Sequence, residues 1–354
     1  MAYMLTKRIL KLLIVAGVVC LGFTSCKDDE EESRYVSGTL SFDLPIYAFP
    51  GESFDVEASG IVSPKGDSVS YQFVGKAFDP DTLVAASGRI TVPYTCGTYT
   101  LTLYAKAVGY LGTSTSRSVT VIPASYKEAV DGFVVPEHSF TDERDNKVYY
   151  YKTYGPLDWF VQNLNYCEVG TSYLGESAQG FLYGSLYSWA QAVTGEQNPG
   201  ELPEVTDGLG AGPQGVCPQG WSVPTLEDWA QLATSLSGTP VTFFDAWDNL
   251  ASSVCVDAKV NGAKMWKFHP DNTKTNTSGW NALPAGYGSM AGDFFTGQKL
   301  TSFWWTSRTE ASQGKAYYRY VHYAQGGFPF AQTDKYNVYA SVRCVRLSAE
   351  ATQE

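Results

Sequence analysis

Histidine is scarce in this chain. The three histidines, His138, His269 and His322, lie far apart, and none has a partner at His-x-x-x-His spacing, which speaks against a helical zinc site. Seven cysteines are present but no Cys-x-x-Cys pair, so neither a zinc ribbon nor a dithiol redox motif is supported. A nucleophile elbow of the Gly-x-Ser-x-Gly type is also missing, because Gly288-Ser-Met-Ala-Gly292 puts its serine in the wrong place. The run Gly208-Leu-Gly-Ala-Gly-Pro-Gln-Gly215 lacks the Lys-Ser/Thr of a phosphate loop, and Pro213 would interrupt a helix start, so it reads as a flexible loop. Charged residues make up only 17% of the chain, and basic residues are the minority, 25 against 36 acidic. A surface of that sign repels phosphate backbones, so nucleic acid is excluded as a partner. Acidic side chains are plentiful, but spacing alone pairs no two of them as acid and base.

Aromatic residues are abundant, at 14%. With so little charge, the composition is that of a folded body rather than a disordered one. The chain opens with a basic stretch, Lys7, Arg8 and Lys11, then the apolar run Leu12 to Gly22, too brief for a permanent membrane span. Phe23-Thr-Ser-Cys26 closes it with small residues before a cysteine. This resembles a bacterial lipobox and implies cleavage before Cys26 and lipidation of its thiol. Loss of residues 1–25 removes three basic residues and leaves 22 basic against 36 acidic, a net charge of −14. Lys27-Asp-Asp-Glu-Glu-Glu32 follows, a self-repelling tether that resembles the signal sending Bacteroidetes lipoproteins to the outer face of the outer membrane.

Between residues 38 and 123, alternating apolar sets recur at Leu40/Phe42/Leu44, Phe54/Val56/Ala58, Val69/Tyr71/Phe73, Tyr99/Leu101/Leu103 and Val119/Val121. Turn residues punctuate them, and the pattern predicts an all-β, immunoglobulin-like sandwich that holds the next domain away from the membrane. Cys96 has no partner there and is expected in the core. Asp67-Ser68-Val69 and Asp81-Thr82-Leu83 resemble the Asp-Ser/Thr-apolar acceptor of Bacteroidetes O-glycosylation, which marks Ser68 and Thr82.

Beyond a linker over 124–136, the densest signal is Cys217-Pro-Gln-Gly-Trp221-Ser-Val-Pro224-Thr-Leu-Glu-Asp-Trp229. Its prolines and Gly220 forbid a helix in the first half. Thr225 is suited to cap a helix whose first turn carries Glu227 and Asp228, and Leu226, Trp229, Leu232, Ala233 and Leu236 share one face up to a stop at Gly238. A second helix is expected over Ser185–Val193. The final strand is read through Val338, Ala340, Val342 and Cys344.

This stretch resembles the signature of the Fibrobacter succinogenes major paralogous domain. Phe140 to Tyr149, Trp159 to Tyr166, Tyr183 to Trp189, Ser278 to Tyr287, Phe303 to Ser307 and Ser341 to Arg346 follow in that family's order. The resemblance covers roughly 210 residues, enough for a domain of its own over 137–348, with a short tail at 349–354. It implies an α+β, C-type-lectin-like fold in which Cys217 and Cys344 are bridged. Cys167 and Cys255 could also bridge, since spacing does not fix their pairing. The enzymes of the fold, the formylglycine-generating family, have active cysteines that map to no position here. Nor do the calcium-dependent sugar motifs of C-type lectins appear; Trp247-Asp-Asn249 has a different residue order. No cofactor or metal is implied.

What remains is recognition. Trp247, Trp266, Trp280, Tyr287, Trp304 and Trp305 are interspersed with Asp271, Asn272, Asn281 and Asp293, ring faces and amides of the kind that hold sugars, although Trp304 and Trp305 read as core. The expected ligand set is Trp266, Asp271, Asn272, Trp280, Asn281, Tyr287 and Asp293, on a non-catalytic outer-membrane lipoprotein that binds glycan. A surface-protein partner is the alternative and a carbohydrate-active hydrolase the third.

Overall fold

A computed structural model describes residues 35–270, 272–291, 294–310, 314–349 and 351. Cys26, the leader, the acidic tether, Asp271 and Asp293 lie outside the described residues. The molecule is mostly β and built from several sheets. Among the described residues, no helix is long and apolar enough to cross a membrane.

In the first part, a five-stranded sheet runs Tyr47–Ala48, Thr113–Val121, Gly97–Ala107, Val69–Val74 and Thr82–Leu83. Only its first pairing is parallel. Two ribbons complete it, Ser53–Glu57 with Ser87–Thr91 and Ser37–Ser41 with Ser59–Val62. The inward alternates Phe42, Val56, Phe73, Leu101, Leu103, Val119 and Val121 form one core with Ile90, as period-2 patterning requires. Cys96 is exposed, contrary to expectation. It precedes Gly97, the first residue of its strand, and so never enters the inward alternation.

The second part closes on itself. Its opening strands His138–Asp142, Lys147–Tyr154 and Leu157–Phe160 are joined in one antiparallel sheet by the last strand, Val345–Leu347. A three-stranded sheet, Thr301–Glu310, Lys315–His322 and Phe330–Asp334, carries Trp304 and Trp305 into the interior, both fully buried. The expected final strand is broken. Val338–Ala340 belongs to a different sheet, beside Ser185–Ser188 and Tyr287–Ser289, while residues 341–344 bond across to Trp305, Leu164 and Phe160.

The signature helix spans Leu226–Ser237. Thr225 caps it through a reciprocal pair of bonds with Asp228, and Gly238 ends it in the left-handed conformation. Its buried face, Trp229, Leu232 and Ala233, packs on Trp159, Trp280, Trp304 and Phe328. The glycine run before it is not a free loop. Gly210 N–H donates to Asp228 at 2.7 Å, Gly208 accepts from Thr225 at 3.0 Å, and a Cβ on Gly212 would stand 1.9 Å from the Val223 carbonyl oxygen. The other helix is shorter than expected. Ser185–Ser188 is a strand, and the helix occupies Trp189–Thr194, capped by Ser188 and Gln191.

Cys217 and Cys344 are bridged, with Cα atoms 5.8 Å apart, within the range such a bond needs. The bridge lies in a core with Trp189, Trp221 and Trp305. Cys167 and Cys255 are both free, the first exposed and the second buried, so no second bridge forms between them. The two parts touch through a fourth core, where Tyr47 and Ile122 meet Ala129, Leu182, Tyr183 and Leu283.

Two arginines are enclosed without a carboxylate. Arg343 donates from Nε to Asn163 Oδ1 at 3.0 Å and from Nη2 to the Asn281 carbonyl at 2.9 Å, bonds the Trp280 carbonyl, and lies 3.8 Å over the Trp280 ring. Arg319 lies 3.3 Å over Trp247 and bonds the carbonyls of Phe328, Phe243 and Asp245. Burial pulls both guanidinium pKa values down to about 9.

Candidate functional site

The residues expected to hold a ligand separate into three groups. Trp280 is fully buried, in contact with Trp229, Trp304, Phe328 and the Arg343 guanidinium, so no face is free for a sugar. Asn281 is equally enclosed. Its Nδ2 donates to the Val134 carbonyl at 2.7 Å, and its Oδ1 accepts from Val134 N–H at 3.0 Å and Asn276 Nδ2 at 2.7 Å. It fastens the linker to the signature-bearing part and, at 1% exposure, is closed to a ligand hydroxyl. Both expectations are corrected: in this chain the ring and the amide are structural. Tyr287 is half-buried and stacked on Phe303 with centroids 4.5 Å apart, on the strand that pairs with Val338–Ala340.

Trp266 and Asn272, in contrast, are brought together. An Asn261-Gly262 turn, both residues at positive φ, joins Lys259–Val260 to Ala263–Lys264, the residue pair a tight hairpin selects. The chain then runs through Trp266, Lys267, Phe268 and His269 around a cleft of about 200 Å³ that Asn272 and Lys274 close. Asn272 is nearly fully buried. Its Nδ2 donates to the carbonyls of His322, Tyr323 and Gln325 at 3.1, 3.2 and 2.8 Å. Three acceptors on one side fix the amide's orientation, and Oδ1 is left with no partner in the protein. A buried acceptor without a partner is an exception among native polar groups and calls for a donor, such as a water, that reaches it.

The rest of the cleft is aromatic and cationic. Phe268 is 72% exposed, an unusual position for so large an apolar ring. Trp266 is buried, donates from Nε1 to the Ala282 carbonyl at 3.2 Å, and has the Lys274 ammonium 5.4 Å above its ring. Lys267 Nζ sits 4.9 Å over Tyr323. Burial pulls the Lys274 pKa down. It does the same to His322, with His269 adding to the effect.

Sequence reasoning missed two clefts at the junction of the parts. One, about 570 Å³, is walled by Phe49, Tyr126, Tyr150 and Phe181, with Gln162 and Asn165 on its lining. Its rings come from four separate stretches, with Tyr126 in the segment expected to be a linker. The other, about 760 Å³, is acidic, lined by Asp43, Glu52, Asp55 and Glu176. Glu52 accepts from Phe49 N–H at 2.9 Å and Ser177 Oγ at 3.1 Å, which ties the parts together. Burial pushes the Glu176 carboxyl up to about 7, against the pull of the Ile46 and Tyr47 N–H groups. Among the described residues, no group of three His, Cys, Asp or Glu side chains could hold a metal ion. Ser68 and Thr82 are both exposed.

The family model of the Fibrobacter succinogenes major domain matches residues 130–346. A search of curated proteins finds no match. Among solved structures, a nucleoside hydrolase-related hypothetical protein from Saccharophagus degradans, described as associated with carbohydrate metabolism, is 18% identical with a TM-score of 0.20. That match covers 26% of this chain and 26% of that structure, and a likeness so slight carries no argument.

Proposed function

The chain belongs to the Fibrobacter succinogenes major domain family, and from that premise we propose that it is an outer-membrane lipoprotein whose family domain binds carbohydrate without catalysis. On this reading, Cys26 carries the lipid, the acidic tether directs display on the cell exterior, and Ser68 and Thr82 are O-glycosylated. Residues 38–123 serve as an immunoglobulin-like spacer, and residues 137–348 take a C-type-lectin-like fold.

The observation that carries the binding reading is the loop cleft. Phe268 offers an exposed ring face beside the buried, partly unsatisfied amide of Asn272. Apolar ring faces and a few fixed polar groups are what sugar recognition uses. At about 200 Å³ the cleft is smaller than the roughly 300–1,000 Å³ of drug-sized sites, a size for one sugar ring of a longer chain. A glycan array probed with the purified protein and with Phe268→Ala tests this. Binding that the substitution abolishes supports the site; an array with no binding for the native protein refutes the reading.

A protein partner is the second reading. Phe244 is 51% exposed and packs on Tyr317 and Phe330, an aromatic surface suited to a protein contact. Phe244→Ala should then abolish capture of a surface protein and leave array binding intact.

A further inference from the structure

We propose that the loop cleft selects an anionic sugar residue, one bearing a carboxylate or a sulfate, over its neutral counterpart. The inference rests on the carbohydrate reading and sharpens it to a substrate class.

The chain is acidic as a whole, with a net charge of −11, yet this cleft is not. Lys264, Lys267 and Lys274 line it together with His269, and Asp257 is the one carboxylate among its described lining residues. Asp257 is already paired with Lys264 at 3.0 Å, on an exposed rim where such a pair adds little. Lys274 is half-buried and donates only to the Asn272 carbonyl among the bonds described, at 3.3 Å; burial opposes its charge most, and Asp257 favours it while Lys264 opposes it. Like charges gathered in a small cavity repel, and each favours a counter-ion. An anion set between them would relieve that repulsion and receive charge-assisted hydrogen bonds.

The other contacts ask for something an inorganic ion lacks. Asn272 Oδ1 needs a donor, and Phe268 presents an apolar ring face. A neutral sugar would meet those two and give Lys267 and Lys274 no anionic partner. A sugar ring with hydroxyls and one anionic substituent meets all three, in a volume suited to one ring.

Calorimetric titration of the purified protein decides the matter, with three galactan oligosaccharides of equal length: neutral, uronate and sulfated. The anionic forms should bind about tenfold more tightly at low salt, the gain from one or two hydrogen bonds to charged groups. That gap should narrow as salt is raised. Preference for the uronate or for the sulfated chain would assign the anion. Lys264→Met with Lys267→Met, both at exposed positions, should remove the gap between anionic and neutral chains at an unchanged melting temperature. Equal affinity for neutral and anionic chains, or a gap that survives the double substitution, would overturn the inference but not the carbohydrate reading. Failure to bind any of the three in a protein that also binds nothing on the array would remove both.

Discussion

Arg343→Met should weaken the family domain by several kcal/mol, although methionine fits the space and removes a buried charge. Two effects oppose each other here. Enclosing a guanidinium is costly, as its depressed pKa reflects, and exchanging a buried ion for a hydrophobe is often harmless when its partner is exchanged too. The partners of Arg343 cannot be exchanged, because two are the backbone carbonyls of Trp280 and Asn281. Each buried acceptor left without a donor costs about 1–3 kcal/mol, so the pair costs about 2–6 kcal/mol. Asn163 Oδ1 keeps the bond from Trp304 Nε1 and adds little. The loss of donors wins. All nine tryptophans lie at or beyond Trp159, so their fluorescence reports this domain alone during urea unfolding. With a slope of about 2 kcal/mol/M, the midpoint should fall by about 1–3 M. Arg343→Lys should not restore it, since an ammonium cannot replace a planar fork bonded on three sides. A midpoint for the methionine variant within about 0.3 M of the native value, at unchanged slope, would refute the reasoning.

Replacing Cys217 and Cys344 together by serine opens a loop with a sequence separation of 127 and should cost about 4–5 kcal/mol in the chain-entropy model; a reductant-insensitive native midpoint would show that the bridge is dispensable. Glu176, raised from 4.5 to about 7, favours the folded junction when protonated, so its contribution is full below 4.5 and is lost as pH rises through 7. Glu176→Gln should therefore stabilise the fold at pH 8 but not at pH 4, by about 1 kcal/mol after solvent screening, read as a higher melting temperature at pH 8 alone; equal effects at both values would remove the explanation. Cys26→Ser should abolish acyl labelling, and neutralising Asp28 to Glu32 should hide the protein from protease on intact cells without unfolding it.

Local signals were the legible ones. Thr225, Asp228 and Gly238 define the signature helix within a dozen residues, and Leu101 and Leu103 declare their strand by alternation alone. Ser185–Ser188 was misread because its apolar content suits a helix, whereas its state is set by pairing with Thr171–Ser172 and Val338–Ala340. The candidate site shows the same division. Trp266 and Trp280 look alike in sequence; rings and Arg343 enclose the second entirely, and the first, although it lines the loop cleft, is buried too. Asn281 is polar yet internal because Val134, 147 positions earlier, meets both ends of its amide. The glycine run at 208–215 looked unrestrained because its partners, Asp228 and Val223, sit on the element that follows it.

The sheet that Leu157–Phe160 shares with Val345–Leu347 also sets an order of events. A polypeptide threaded across a membrane from its N-terminus delivers Leu157 almost two hundred residues before the strand that must lie beside it. Until then the edge of Leu157–Phe160 has open donors and acceptors, and Cys217 waits without Cys344. On the lipoprotein reading proposed above, maturation of this domain is thus gated by completion of transport rather than by its progress. A nonsense codon shortly before residue 345 would produce not a trimmed domain but a chain unable to finish folding.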